Sequence, residues 1–137
     1  MKKVVFVFLL FVISVSVFAK TYHIAQLIRC NWLIQPNGLL AISLDPRIIW
    51  FGVYNRTGYE FFSKKYYLAD QEVENYNPKE VGKNGKGNYI VLQDTLKNDS
   101  GEIKYITRNY KIKDIKNKEQ LVLEIEGKEY TFKYKAK

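Results

Sequence analysis

Two side-chain types suited to nucleophilic or acid–base work at neutral pH occur once each in this chain, as His23 and Cys30. A reactive thiol needs a cation or imidazole beside it, and a hydrolytic triad needs a nucleophile, a base and an orienting carboxylate within reach. Cys30 falls in an alternating stretch, 27–34, where Ile28, Cys30, Trp32 and Ile34 share one face. That pattern predicts a small buried hydrophobe pointing toward the core. His23 lies in residues 20–25, which read as a leading tail. No triad and no metal cluster can be assembled from this inventory. Glu124 and Glu126 share a face of a predicted strand, but that face turns to solvent, unlike the paired carboxylates of glycoside hydrolysis. The run Gly82-Lys-Asn-Gly-Lys-Gly87 invites comparison with a phosphate cradle. It lacks the GK[ST] ending, and a strand follows where the motif requires a helix. The residues therefore predict a protein that is not an enzyme and uses no metal or cofactor.

What the chain does have is aromatic surface: eleven Tyr, eight Phe and two Trp. Tyr and Trp combine an apolar body with a polar tip, which suits recognition of amphipathic groups. The same residues are also good strand formers. Five are expected to line a ligand cavity: Trp32, Trp50, Tyr54, Phe61 and Tyr105.

The elements that must position them are all predicted strands. They cover 27–34, 39–44, 48–54, a fourth from Tyr59 through Leu68, 89–94, 103–115, and two more in a closing hairpin at 121–135. Turn signals separate them, such as Pro36-Asn37-Gly38 and Asn55-Arg56-Thr57-Gly58. Asn55-Arg56-Thr57 and Asn98-Asp99-Ser100 also match the glycosylation sequon, and both read as turn chemistry. The strand at 48–54 is apolar on both sides, with Ile49, Phe51 and Val53 on one and Ile48, Trp50 and Tyr54 on the other. It therefore either lies within the fold or lines a cavity while packing outward. Pairing Tyr54 with Tyr59 sets Gly52 opposite Phe61 and gathers Trp50, Tyr54, Tyr59 and Phe61 on one face. An aromatic laid over a strand glycine is a device of curved sheets. In 103–115 the apolar phase shifts between Tyr105 and Ile106, which predicts a bulge or strong bend near 106–109.

The closing hairpin is the most regular part. Leu121, Leu123 and Ile125 alternate with polar residues, as do Tyr130, Phe132 and Tyr134. Pairing Ile125 with Tyr130 puts Leu123 against Phe132 and Leu121 against Tyr134, all on one face. Either a two-residue Gly127-Lys128 turn or a four-residue loop, 126–129, gives that register. Residues 69–88 are the one long irregular stretch and read as a flexible mouth loop or tip.

The first nineteen residues read as a secretory leader. Lys2 and Lys3 precede fifteen uncharged residues, 4–18, and Val17 and Ala19 fit a small-residue cleavage site before Lys20. Spanning a bilayer takes about 20 apolar residues, so removal is favoured over anchoring, and nothing that remains is long enough to cross as a helix. Cleavage leaves 118 of the 137 residues, one domain in size, and lowers the formal charge from +8 to +6. One cysteine permits no internal disulfide, so the exported domain, secreted or periplasmic, must hold by burial. No basic stripe with a groove-reading helix points to nucleic acid.

Eight short strands in a chain of this size predict an all-β antiparallel meander barrel. An outer-membrane barrel would need a charge-free outer band, which Lys104, Arg108, Lys111, Glu124 and Lys133 interrupt. With its leader, its first-strand Cys30-Asn31-Trp32 and its closing Tyr110-Lys-Ile112, Leu121-Val-Leu123 and Tyr130-Thr-Phe132, the chain resembles a bacterial lipocalin-like domain. Cys30 stands where the lipocalin Gly-x-Trp signature has glycine. The resemblance implies a small cup for an apolar or amphipathic ligand, without catalysis. The alternative is an envelope protein–protein module, an inhibitor or assembly subunit, using the 69–88 loop and exposed aromatic strands.

Overall fold

The computed structural model describes residues 21–23, 32–116 and 119–134. The leader expected at 1–19 and Cys30 lie outside these. The strands are β1 (Tyr22–His23), β2 (Leu33–Ile34), β3 (Leu40–Leu44), β4 (Ile48–Asn55), β5 (Gly58–Ala69), β6 (Lys86–Gly87), β7 (Tyr89–Lys97), β8 (Ile103–Lys116), β9 (Gln120–Ile125) and β10 (Lys128–Tyr134). Eight of them close an antiparallel barrel in the order β10-β2-β3-β4-β5-β7-β8-β9, while β1 and β6 pair with each other. The predicted all-β barrel is the observed fold.

Alternation decides what goes inside. Leu33, Ile42, Leu44, Ile49, Tyr66, Leu68, Ile90, Leu92, Ile112, Leu121, Leu123 and Phe132 all join one buried cluster. They fill one end of the barrel, where the turn at 45–47 lies and where Lys116 of β8 pairs with Gln120 of β9. The opposite end, the mouth, carries the turns at 35–39, 56–57, 98–102 and 126–127. The β4–β5 register is as predicted, with Tyr54 against Tyr59, Gly52 against Phe61 and Phe51 against Phe62.

Four expectations need correction. The closing hairpin keeps its predicted face but is offset by two residues: Leu123 pairs with Tyr130, Leu121 with Phe132 and Ile125 with Lys128. The cause is the turn. Glu126 (φ 52°) and Gly127 (φ 80°) are both left-handed, as a two-residue hairpin turn of the primed type requires, with glycine second. Tyr134 thereby pairs with Leu33 of β2 and helps close the barrel. The bulge in β8 sits at Lys113, between the Ile112–Leu123 and Asp114–Val122 pairs, and not at 106–109. Pairing with β7 is regular through that earlier stretch; Ile103 and Tyr105 simply face outward.

Residues 22 and 23 are not a loose tail. Tyr22 is buried in the core cluster, pairs with Gly87 and donates its hydroxyl to the Lys113 carbonyl at 2.9 Å. It plugs the filled end. Lastly, the 69–88 stretch is not a mouth loop, because it folds back over the outer wall. The Asn109 side chain accepts from the Val73 amide (2.8 Å) and donates to the Val73 carbonyl (2.9 Å). Thr107 Oγ1 accepts from the Tyr76 amide, and the Tyr76 and Tyr67 rings lie 5.5 Å apart. Val91 and Tyr67 are buried although they point outward. Replacing Asn109 with Leu strands two backbone groups of Val73, at a cost of about 1–3 kcal/mol. Limited proteolysis of Asn109→Leu should therefore cut within 70–85 at least tenfold faster than in the parent protein.

Candidate functional site

Two surfaces gather side chains that the core does not consume. The first is on the outside of β4 and β5. Because Ile49 and Phe51 point into the barrel, Trp50 and Tyr54 must point out, and pairing turns Tyr59 and Phe61 the same way. Phe61 lies across Gly52, where a Cβ would come within 3.0 Å of its ring. The Trp32 ring meets Phe61 at 5.3 Å, Phe61 meets Tyr59 at 6.1 Å, and Tyr59 meets Tyr54 at 5.4 Å. Small residues beneath them, Ala41, Ser43 and Gly52, let the rings lie down as a raft. Polar tips fix it further. Tyr59 donates its hydroxyl to the Gly38 carbonyl at 2.7 Å, and Trp50 donates Nε1–H to Asp45 at 3.1 Å. A groove of about 420 Å³, lined by Pro36, Gly38, Tyr59, Lys133 and Tyr134 among others, runs beside the raft.

The five residues expected to line a cavity are thus on the outer wall. Trp32, Trp50, Tyr54 and Phe61 are 36%, 37%, 53% and 58% exposed, and the structure brings these four to one face. Tyr105, 64% exposed, stands apart on β8, paired with Thr95. The face-sharing of Trp50, Tyr54, Tyr59 and Phe61 was readable, but its direction was reversed. The barrel interior takes Phe51 and Phe62 instead, stacked at 5.1 Å, with Tyr110 meeting Phe51 edge-on at 6.4 Å.

The second surface is the mouth, where those rings sit beneath four charged residues. Lys64 shares the inward parity of Phe62 and Tyr66, Asp94 that of Ile90 and Leu92, and Arg108 that of Tyr110 and Ile112. Lys64 Nζ lies 3.4 Å from Asp94, Arg108 Nε lies 3.5 Å from Asp94, and Arg108 also bonds Glu126 on the β9–β10 turn. These ion pairs stand where backbone pairing stops. The β5–β7 ladder ends at Tyr66 and Leu92, and the β8–β9 ladder ends at Lys111 and Glu124. Burial pushes the Asp94 carboxyl up, but the Thr95 amide, Lys64 and Arg108 outweigh it and hold the group below the usual carboxylate range. Tyr110 moves the other way, raised first by burial and then by the charge of Asp94. The sequence reading missed all four charged groups. Carrying the two-residue alternation up each strand from the core would have found Lys64, Asp94 and Arg108.

Comparison with family models, with characterised proteins and with solved structures finds no match to this chain.

Proposed function

We propose that this is an exported, lipocalin-like binding protein without catalytic activity, which recognises a partner protein through its outer aromatic raft. The observation that carries this reading is the raft itself: four linked rings, about half exposed, fixed on rigid strands before any partner arrives. Aromatic anchors of this kind dominate protein interfaces, and pre-ordering them reduces the entropy lost on binding. The groove beside Tyr59 offers a recess for a partner's side chain. With one histidine and one cysteine in the whole sequence, the residues offer binding chemistry before catalysis.

The test is site-specific photo-crosslinking in the native host. A photoreactive residue at Tyr54 should give one discrete adduct, reduced at least fivefold by a second change, Phe61→Asp. The same probe at Tyr105 should not give that adduct. Equal labelling at both positions, or none at Tyr54, would overturn the reading.

A second reading places a small amphipathic ligand at the barrel mouth. The inward-facing Phe62 and Val53 favour it, since both are part of the interior wall yet more than a third exposed.

A further inference from the structure

The charge balance at the mouth carries an inference that rests on the second reading, the ligand at the mouth. Within the ion-paired cluster the barrel wall supplies two cations, Lys64 and Arg108, and one carboxylate, Asp94, on inward-facing positions of β5, β7 and β8, while Glu60, Lys104 and Lys128 share that parity nearer the rim. Among the ion-paired groups the wall residues therefore leave one positive charge. What balances it is not a wall residue. Glu126 belongs to the β9–β10 turn, at a left-handed φ of 52°, and its side chain is 71% exposed while that of Arg108 is 28%. The less exposed partner of this pair is the cation, and the more exposed partner is the one free to leave.

Below the charges the surface is apolar. Phe51 and Phe62 stack, Tyr110 meets Phe51 edge-on, and Ile106 and Ile125 lie half-buried on the same inward parity. A cation above partly exposed apolar side chains suits a molecule with one anionic end and one hydrocarbon chain. The neighbouring ladders do not hinder it, because β5 and β7 above Tyr66 and Leu92, and β8 and β9 above Lys111 and Glu124, are not joined by backbone pairing.

We propose that the mouth binds a single-chain amphiphile with a monoanionic head group, and that this head group takes the place of the Glu126 carboxylate on Arg108. Glu126 is then a placeholder that keeps the guanidinium satisfied while the site is empty. Asp94 stays, holding both Lys64 and Arg108 in position, so a dianionic head would meet about twice the repulsion from it that a monoanionic one meets.

The experiment is isothermal titration calorimetry of the mature protein with octanoate, octan-1-ol and acetate, each below any micelle-forming concentration. Octanoate should bind at least tenfold more tightly than octan-1-ol, and acetate should not saturate. Glu126→Gln, an exposed substitution of equal size, should tighten octanoate at least threefold and leave octan-1-ol unchanged. Arg108→Gln should erase the preference for the carboxylate. If octanoate and octan-1-ol bind equally, or Glu126→Gln leaves octanoate unchanged, the head-group proposal falls while the mouth still holds an apolar ligand. If neither amphiphile binds, the second reading falls with it. If acetate alone saturates as tightly as octanoate, the site is an anion site without a chain pocket, and the proposal is overturned.

Discussion

Phe132→Ala is expected to lower the stability of the barrel domain by about 3–5 kcal/mol. Phe132 is 1% exposed and sits in the core cluster against Leu121, its direct cross-strand partner on β9. Removing the ring forfeits its transfer free energy and leaves a void, because eight closed strands cannot collapse into it without breaking ladders. Single domains have about 5–15 kcal/mol to lose, and a chain with one cysteine has no internal cross-link to fall back on. Urea unfolding followed by circular dichroism should show the midpoint falling by about 2 M, or no folded baseline at all. Tyr105→Ala is the control. It removes a larger, equally aromatic side chain from the outer face, and should move stability by no more than about 0.5 kcal/mol. If the two variants unfold together, the assignment of inside and outside made above is wrong.

The second large effect is expected at Gly87, a position whose side chain is only hydrogen. A Cβ there would lie 2.7–2.9 Å from the backbone N, O and C of Ala69. Backbone cannot swing aside as a side chain can, so Gly87→Ala must lift β6 off the end of β5. That movement threatens the bond from the Asn88 amide to the Ala69 carbonyl and the pairing of Gly87 with Tyr22. Tyr22 would then leave the core end that it plugs. Overpacking of this kind costs about 1–3 kcal/mol. A double-mutant cycle checks the mechanism: once Tyr22→Ala has removed the plug, Gly87→Ala should add much less than it does alone. Full additivity would mean that the glycine acts through something other than β1.

How much of this was visible in the letters varied with the kind of physics involved. The β4–β5 pairing was readable because a four-residue turn signal and the Gly52–Phe61 complement both point to one register. The closing hairpin gave up its faces but not its register. Strand alternation has a period of two, so an offset of two leaves every face unchanged, and only the handedness of Glu126 and Gly127 separates the two pairings. Which side of β4 is the interior was not readable, because Ile49, Phe51 and Val53 are as apolar as Ile48, Trp50 and Tyr54. Closure decides it: the bulkier rings, with polar tips that reach Asp45 and Gly38, lie on the wall. The cover formed by 70–85 rests on Asn109, Thr107 and Tyr67, long-range partners that no local pattern announces. The charged mouth was hidden for a simpler reason, since Lys64, Asp94 and Arg108 look like ordinary solvated positions until the strand they sit on is traced to its inward face.

The rings of the raft rest on Ala41, Ser43 and Gly52, while the interior is filled by a different set of side chains one residue away. Neighbouring letters in the same hairpin thus answer to different demands, one to the packed interior and the next to the character of the outer wall. Exchanging Tyr54 or Phe61 alters what the wall can hold without touching the residues that keep the barrel closed. A lineage carrying this scaffold is therefore free to change its outer surface by drift at alternate positions of β4 and β5, with little penalty to its fold.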